Sequence, residues 1–299
     1  EREHLMKTKF FQRINKAKWG YLFITPSYIF FIAFVLIPLI WAVRLSFFKA
    51  GLLESSWVGL KNYQHLIYDP IFRIAFRNTL LFVMVIVPAN VVLSLFISVT
   101  IFPLSKPLQA FFRLAFYLPV VASGVILSLI WFWIFNPVYG LLNYILSIFH
   151  LGPVLWLGST KWALPSLSFV VITMTLGQPI ILFLASLGNI PKELYDAAKV
   201  DGANEGQQFW KITLPLLKPT TLFVLVTQTI GVFQIWVVIY LLTQGGPAYA
   251  TESIVYLLYQ TAFDFYKFGL ACAQGIVLMI IIFIASFIQF KWFATAVEY

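Results

Sequence analysis

The chain has 299 residues, of which 61% are hydrophobic and 10% charged, and a net charge of +9 from 20 Lys and Arg against 11 Asp and Glu. Soluble domains carry about 45–50% apolar and about 25% charged residues, so this composition excludes a water-soluble globule, a disordered chain and a disulfide scaffold, and leaves an integral membrane protein. One cysteine, Cys272, and scattered histidines at 4, 65 and 150 give no multi-cysteine metal site, and the basic residues never gather into a polar module for nucleic acid.

The first 18 residues carry Arg2, Lys7, Lys9, Arg13, Lys16 and Lys18, and the excess of Lys and Arg on cytoplasmic segments assigns this stretch to the cytoplasm. A helix needs about 20 mostly apolar residues to cross the hydrocarbon. Six charge-free intervals meet that length: Trp19 to Val43, Asn78 to Ser105, Leu114 to Thr160, Trp162 to Pro191, Pro219 to Thr251 and Phe268 to Phe290. The first is too apolar for too long to be a cleaved leader, and no small-residue cleavage site follows it. In the third, Asn136, Pro137 and Gly140 interrupt the run, and Leu141 to Phe149 is too short to cross, so it is expected as an interfacial helix. The fold class predicted is all-α and integral to the membrane. A basic segment, 1–18, precedes one transmembrane domain, 19–299, with spans near 19–47, 78–102, 110–135, 162–188, 219–243 and 268–290. Both termini then lie in the cytoplasm, with 49–77, 136–161 and 243–267 outside.

The connection at 190–218 is long for a compact bundle and is mixed in charge: Glu193, Asp196, Asp201 and Glu205 against Lys192, Lys199, Lys211 and Lys218. Loops of this length are usually functional. A short helix is expected from Asn189 to Gly202, with Asn189 able to cap it, Pro191 in its first turn and Gly202 as its stop. Leu194, Ala197, Ala198 and Asp201 recur at helical spacing, a narrow face built on small side chains and suited to insertion into a groove on another protein. Gly202 and Gly206 also spell GxxxG, but Asn204 and Glu205 between them make the segment too polar for a membrane-packing motif.

Asp196-Ala197-Ala198, three residues, Gly202, nine residues and then Ile212-Thr213-Leu214-Pro215 resembles the EAA loop of inner-membrane permease subunits of binding-protein-dependent ABC importers, with Asp in place of the usual leading Glu. IPKELYDAAKVDGA and WKITLPLLKP are similar to the carbohydrate branch, related to the maltose permeases. VGLKNY at Val58, RNTL at Arg77, YLP at Tyr117, LLTQGGPAYATES at Leu241 and FGLACA at Phe268 extend the resemblance over nearly the whole chain. It implies a six-helix type I importer permease in a bacterial inner membrane, with Glu193, Leu194, Asp196, Ala197, Ala198, Gly202, Leu214 and Pro215 coupling it to an ATPase. It further implies a second homologous permease, two cytoplasmic ATPase subunits that hold ATP and Mg, an extracytoplasmic binding protein, a carbohydrate solute and surrounding membrane lipid. The chain itself has no GxxxxGK[ST] loop and so is expected to carry no cofactor and to hydrolyse no ATP.

Polar side chains within spans are costly and therefore informative, although many only bond a neighbouring helix. Thr175 and Gln178 in span four, and Thr227, Gln228, Gly231 and Gln234 in span five, are the candidates for the solute pathway, with Phe233 and Trp236 as nearby aromatic planes. Trp131, Phe132, Trp133 and Phe135 read as an interfacial aromatic belt, with a sugar platform as the alternative. An autonomous secondary carrier or channel is the competing class. It would use an intramembrane acid or histidine, and none occurs in the span centres. A membrane enzyme lacks a constellation: there is no HExxH or GxSxG, and His4 and His65 fall on opposite expected sides.

Overall fold

A computed structural model describes residues 19–20, 22–52 and 55–293; the basic segment 1–18, with His4, lies outside the described residues. In chain order the elements are α1 (Leu22–Leu45), a hairpin of β1 (Phe48–Ala50) and β2 (Ser55–Trp57), α2 (Lys61–Tyr68), α3 (Pro70–Ile101), α4 (Lys106–Val121), α5 (Gly124–Ile134) and α6 (Leu141–Ile148). There follow α7 (Ala163–Thr175), α8 (Gly177–Gly188), α9 (Lys192–Val200), α10 (Glu205–Leu216), α11 (Lys218–Phe233), α12 (Val237–Leu242), α13 (Ile254–Tyr259) and α14 (Phe268–Phe293). Among the described residues, only α1, α3 and α14 are long and apolar enough to cross as single helices; α4–α5, α7–α8 and α10–α11 qualify as pairs bent by 98°, 45° and 63°. Counting each pair as one span gives six.

Span two is the axis of the bundle. Helix α3 packs against α7, α8 and α11, whereas α1 lies along α14 at the periphery. It starts at Pro70 rather than near 78 because Asp69 caps it, its carboxylate accepting the Ile71 N–H at 2.9 Å, and Pro70 fits a first turn. Arg73 and Arg77 therefore sit inside the helix, and the last charge before an apolar run does not mark a helix start. Phe82, Ile86, Leu167, Val170 and Ile239 form the main core, and Leu66, Ala75, Phe233, Leu257 and Ala273 a second one beside α14.

Besides the span near 162–188, which bends by 45° between α7 and α8, two expected spans are not continuous helices. The one near 110–135 begins at Lys106 and breaks after Val121, where Ala122 is extended (φ −70°, ψ 147°) and Ser123 starts α5 by accepting the Val125 N–H. Pro119 contributes by withholding an N–H from the last turn of α4. The one near 219–243 ends its helix at Phe233 and resumes as α12 after Gln234, Ile235 and Trp236. Hydropathy registers neither break, since both sides of each are apolar. The interfacial piece expected from Leu141 is α6.

Candidate functional site

A cavity of about 480 Å³ opens where α7 meets α8, walled by α11 and the 235–238 segment. Thr175, Gln178, Thr227, Gln228 and Gly231 all line it, together with Trp236. The bend at Leu176 makes room for it. Pro179 offers no N–H to the Thr175 carbonyl four residues earlier, and a Cβ on Gly177 would lie 2.2 Å from the Phe116 carbonyl oxygen, so glycine is what lets the bend press against α4. No charged side chain lines the cavity.

Behind this wall a hydrogen-bond network ties three spans together. The fully buried Asn90 of α3 donates from Nδ2 to Thr175 Oγ1 and to Gln228 Oε1, both at 2.8 Å. Thr175 Oγ1 in turn donates to the Val171 carbonyl at 2.7 Å. With Oε1 of Gln228 occupied, its amide nitrogen is the group left to offer, and Asn90 Oδ1 is buried with no protein partner. Asn90 thus orients two wall residues without lining the cavity. Asn90→Leu would leave two half-buried acceptors, Thr175 Oγ1 and Gln228 Oε1, without their donor, at about 1 kcal/mol each. The expected outcome is a loss of about 2 kcal/mol of unfolding free energy with a raised KM for uptake, checked by thermal melting and solute titration of the reconstituted transporter.

Gln234 does not join this group. It follows the last residue of α11, so the helical spacing that projected it beside Gly231 no longer applies, and it is exposed away from the cavity. Phe233 is also elsewhere, packed in the second core. The aromatic run divides: Phe132 and Trp133 are exposed, while Trp131 packs edge-on to Phe169 and Phe135 is buried against Trp156.

The connection between spans five and six folds back onto the bundle. Asn78 Nδ2 donates to the carbonyls of Tyr249 (2.8 Å) and Glu252 (3.1 Å), the Ile254 N–H donates to Thr79 Oγ1 (3.1 Å), and Ser253 Oγ donates to the Ile235 carbonyl (3.2 Å). Ile235 also lines the cavity, so this connection is anchored to its wall. Within it Glu252 is 1% exposed, Oε1 has no partner, and desolvation pushes its carboxyl up to about 8. Sequence reasoning missed both Asn90 and Glu252. The signal for Asn90 was an amide in the middle of the second charge-free interval; that for Glu252, an acid between two hydroxyl residues in the otherwise uncharged stretch 243–263.

On the 190–218 connection, α9 stands clear of the bundle with no buried residue. Tyr195 OH and Thr213 Oγ1, 2.8 Å apart, hold it to α10. Pro191, not Asn189, occupies the cap position, and Asn189 instead closes α8, because the turn at Gly188 uses it as a helix end. Gly202 stops α9 with φ +78°, a conformation that favours glycine. Tyr195 and Ala198 face back to the body, so Glu193, Asp196, Ala197 and the 89% exposed Val200 are outermost, while Leu194 and Asp201 flank them. The projecting face is thus turned from the expected one. Leu214 and Pro215 end α10, and the chain bends by 63° around the buried Leu217 into α11.

A bundle of six apolar crossings with an uncharged polar cavity among its helices and a helix held out on one connection is a membrane transport permease. The chain belongs to the family described as binding-protein-dependent transport system inner membrane component, which matches residues 90–299. It is 36% identical to the probable ABC transporter permease protein YurN of Bacillus subtilis (strain 168), over 93% of this chain and 97% of that one. It is 34% identical to the arabinooligosaccharides transport system permease protein AraP of the same strain, over 93% and 89%. Among solved structures, a chain of a bacterial ABC transporter that imports the acidic polysaccharide alginate superposes with a TM-score of 0.86 at 23% identity, covering 97% of this chain and 100% of that one. The chain is accordingly an inner-membrane transport subunit with an ABC permease fold, not an enzyme.

Proposed function

We propose that this permease forms half of an alternating-access pathway for a carbohydrate, a sugar or oligosaccharide, beside a second homologous permease. Two cytoplasmic ATPase subunits carry ATP and Mg, and an extracytoplasmic binding protein delivers the solute. The observation that carries the solute class is the cavity wall: hydroxyls and amides of Thr175, Gln178, Thr227 and Gln228, the glycine gap at Gly231 and the indole of Trp236, with no ion among them. Amides and hydroxyls pair sugar hydroxyls, and an aromatic plane covers a sugar's CH face. Relatives named for lactose in Rhizobium radiobacter and for arabinooligosaccharides support the same class. Glu193, Leu194, Asp196, Ala197, Ala198, Gly202, Leu214 and Pro215 transmit the ATPase closure, and both termini lie in the cytoplasm. Nucleotide held on another chain then biases the two states of the bundle.

The test is uptake into proteoliposomes. The full assembly should accumulate sugar only with ATP inside and binding protein outside, and the chain alone should be inert. Uptake by the chain alone, driven by an ion gradient, would return the autonomous carrier.

A further inference from the structure

At the ends of α1 and α14, away from the cavity just described, lies a second recess of about 530 Å³. Its walls come from residues 49–52, α2, the residues leading into α14 and Leu270 of α14 itself. The frame is rigid: Asn62 Nδ2 donates to the Ser46 and Phe48 carbonyls at 2.8 and 2.9 Å, and a Cβ on Gly269 would lie 1.9 Å from the Phe48 oxygen. Into this frame three basic side chains converge, Lys49, His65 and Lys267, and no acidic residue among those described lines it. The single ion pair among the described residues, Asp196 with Lys199, is elsewhere, so neither lysine is paired with a carboxylate among the described residues. The rim is apolar, with Leu52 67% and Phe265 60% exposed.

Position decides what such a recess takes. Lys267 immediately precedes the sixth span and Lys49 follows the first by four residues, so both lysines lie beside span ends. Lipid phosphates lie at the level of span ends, and lysine side chains beside a span end reach to that level, where an ammonium group meets an anionic head group. Two lysines offer six N–H donors to a phosphate, while the apolar rim suits the start of an acyl chain. A soluble anion would use the lysines but have no use for the rim. We infer that this recess binds the phosphate head group of an anionic phospholipid, fixing the end of the peripheral span one to span six. The inference rests on the membrane fold alone and is independent of the solute.

The experiment is native mass spectrometry of the assembled importer equilibrated with dioleoylphosphatidylglycerol or dioleoylphosphatidylcholine. The expected result is at least one phosphatidylglycerol retained per copy of this chain beyond the phosphatidylcholine count. The double variant Lys49→Gln, Lys267→Gln should lose it, and Lys49→Arg, Lys267→Arg should keep it, which separates lost charge from a damaged fold. Equal retention of both lipids, or no loss in the glutamine variant, overturns the inference. So does equal protection against heat by soluble glycerol phosphate, which would make this a free-anion site. A glutamine variant that keeps the lipid but loses affinity for the binding protein would overturn it in favour of a protein contact.

Discussion

Ala197→Arg is expected to lower solute-stimulated ATP hydrolysis by the assembled importer by about 100-fold or more while leaving the permease folded in the membrane. Ala197 lies on the exposed face of α9, the one helix of the long connection that buries nothing. A substitution there disturbs no contact within this chain. In the docked complex proposed above the same position would meet the ATPase, and burying an unpaired guanidinium costs about 3–5 kcal/mol, which converts to about 100- to 4000-fold. Ala198→Arg makes the informative contrast. Ala198 is turned toward the body beside Tyr195, so its arginine should reduce the melting temperature as well as the coupling. Gly202→Asp adds strain at φ +78° and should weaken coupling less than Ala197→Arg, because it alters the end of α9 and not its outer face. The measurement is ATPase activity with and without sugar-loaded binding protein, alongside thermal melting of each purified complex. Full stimulation with Ala197→Arg would remove α9 from the coupling path.

Much of this arrangement is legible in the residues because cost makes it so. Charges are too expensive inside hydrocarbon to be misplaced, so the six charge-free intervals locate the bundle, and glycine at φ +78° announces the end of α9. Five of the six pathway candidates share one cavity for a related reason: polar groups on the inward faces of two neighbouring spans have nowhere else to meet. What stayed hidden depends on tertiary context. The breaks at Ala122 and after Phe233 join apolar segments to apolar segments, and the rotation of α9 is set by one Tyr195–Thr213 contact across 18 residues. Gln234 was misplaced because a helical wheel assumes a helix that has already ended. Asn90 escaped notice because its partners lie 85 and 138 residues away.

The 243–253 connection shows how one such hidden group has consequences for stability. Its carbonyls are held by Asn78 and its hydroxyls by the backbone around it, yet no cation among the described residues pairs with Glu252, and a Cβ on Gly245 would lie 2.0 Å from Glu252 Oε2. The carboxyl is therefore packed where only its neutral form is tolerated, which is why desolvation carries it from 4.5 to about 8. The folded state consequently binds a proton that the unfolded chain has released, and linkage fixes the sign: stability falls as pH rises from about 4.5 to about 8 and is level above that. At neutral pH the penalty relative to a permanently neutral side chain is on the order of 3 kcal/mol. Glu252→Gln removes the ionisable group while keeping its volume, so the variant should melt higher than the parent near pH 8, and the two should converge near pH 5. Thermal melting of both proteins across that range reads the difference directly. A gap that stays constant with pH would mean that glutamine gains by a new hydrogen bond, and a gap that widens toward acid would show that Glu252 is ionised and paired in the folded protein. The connection is bonded to Ile235 through Ser253, and Ile235 forms part of the cavity wall. Loosening the connection at alkaline pH is therefore expected to raise the KM for uptake in the parent, and Glu252→Gln to flatten that dependence.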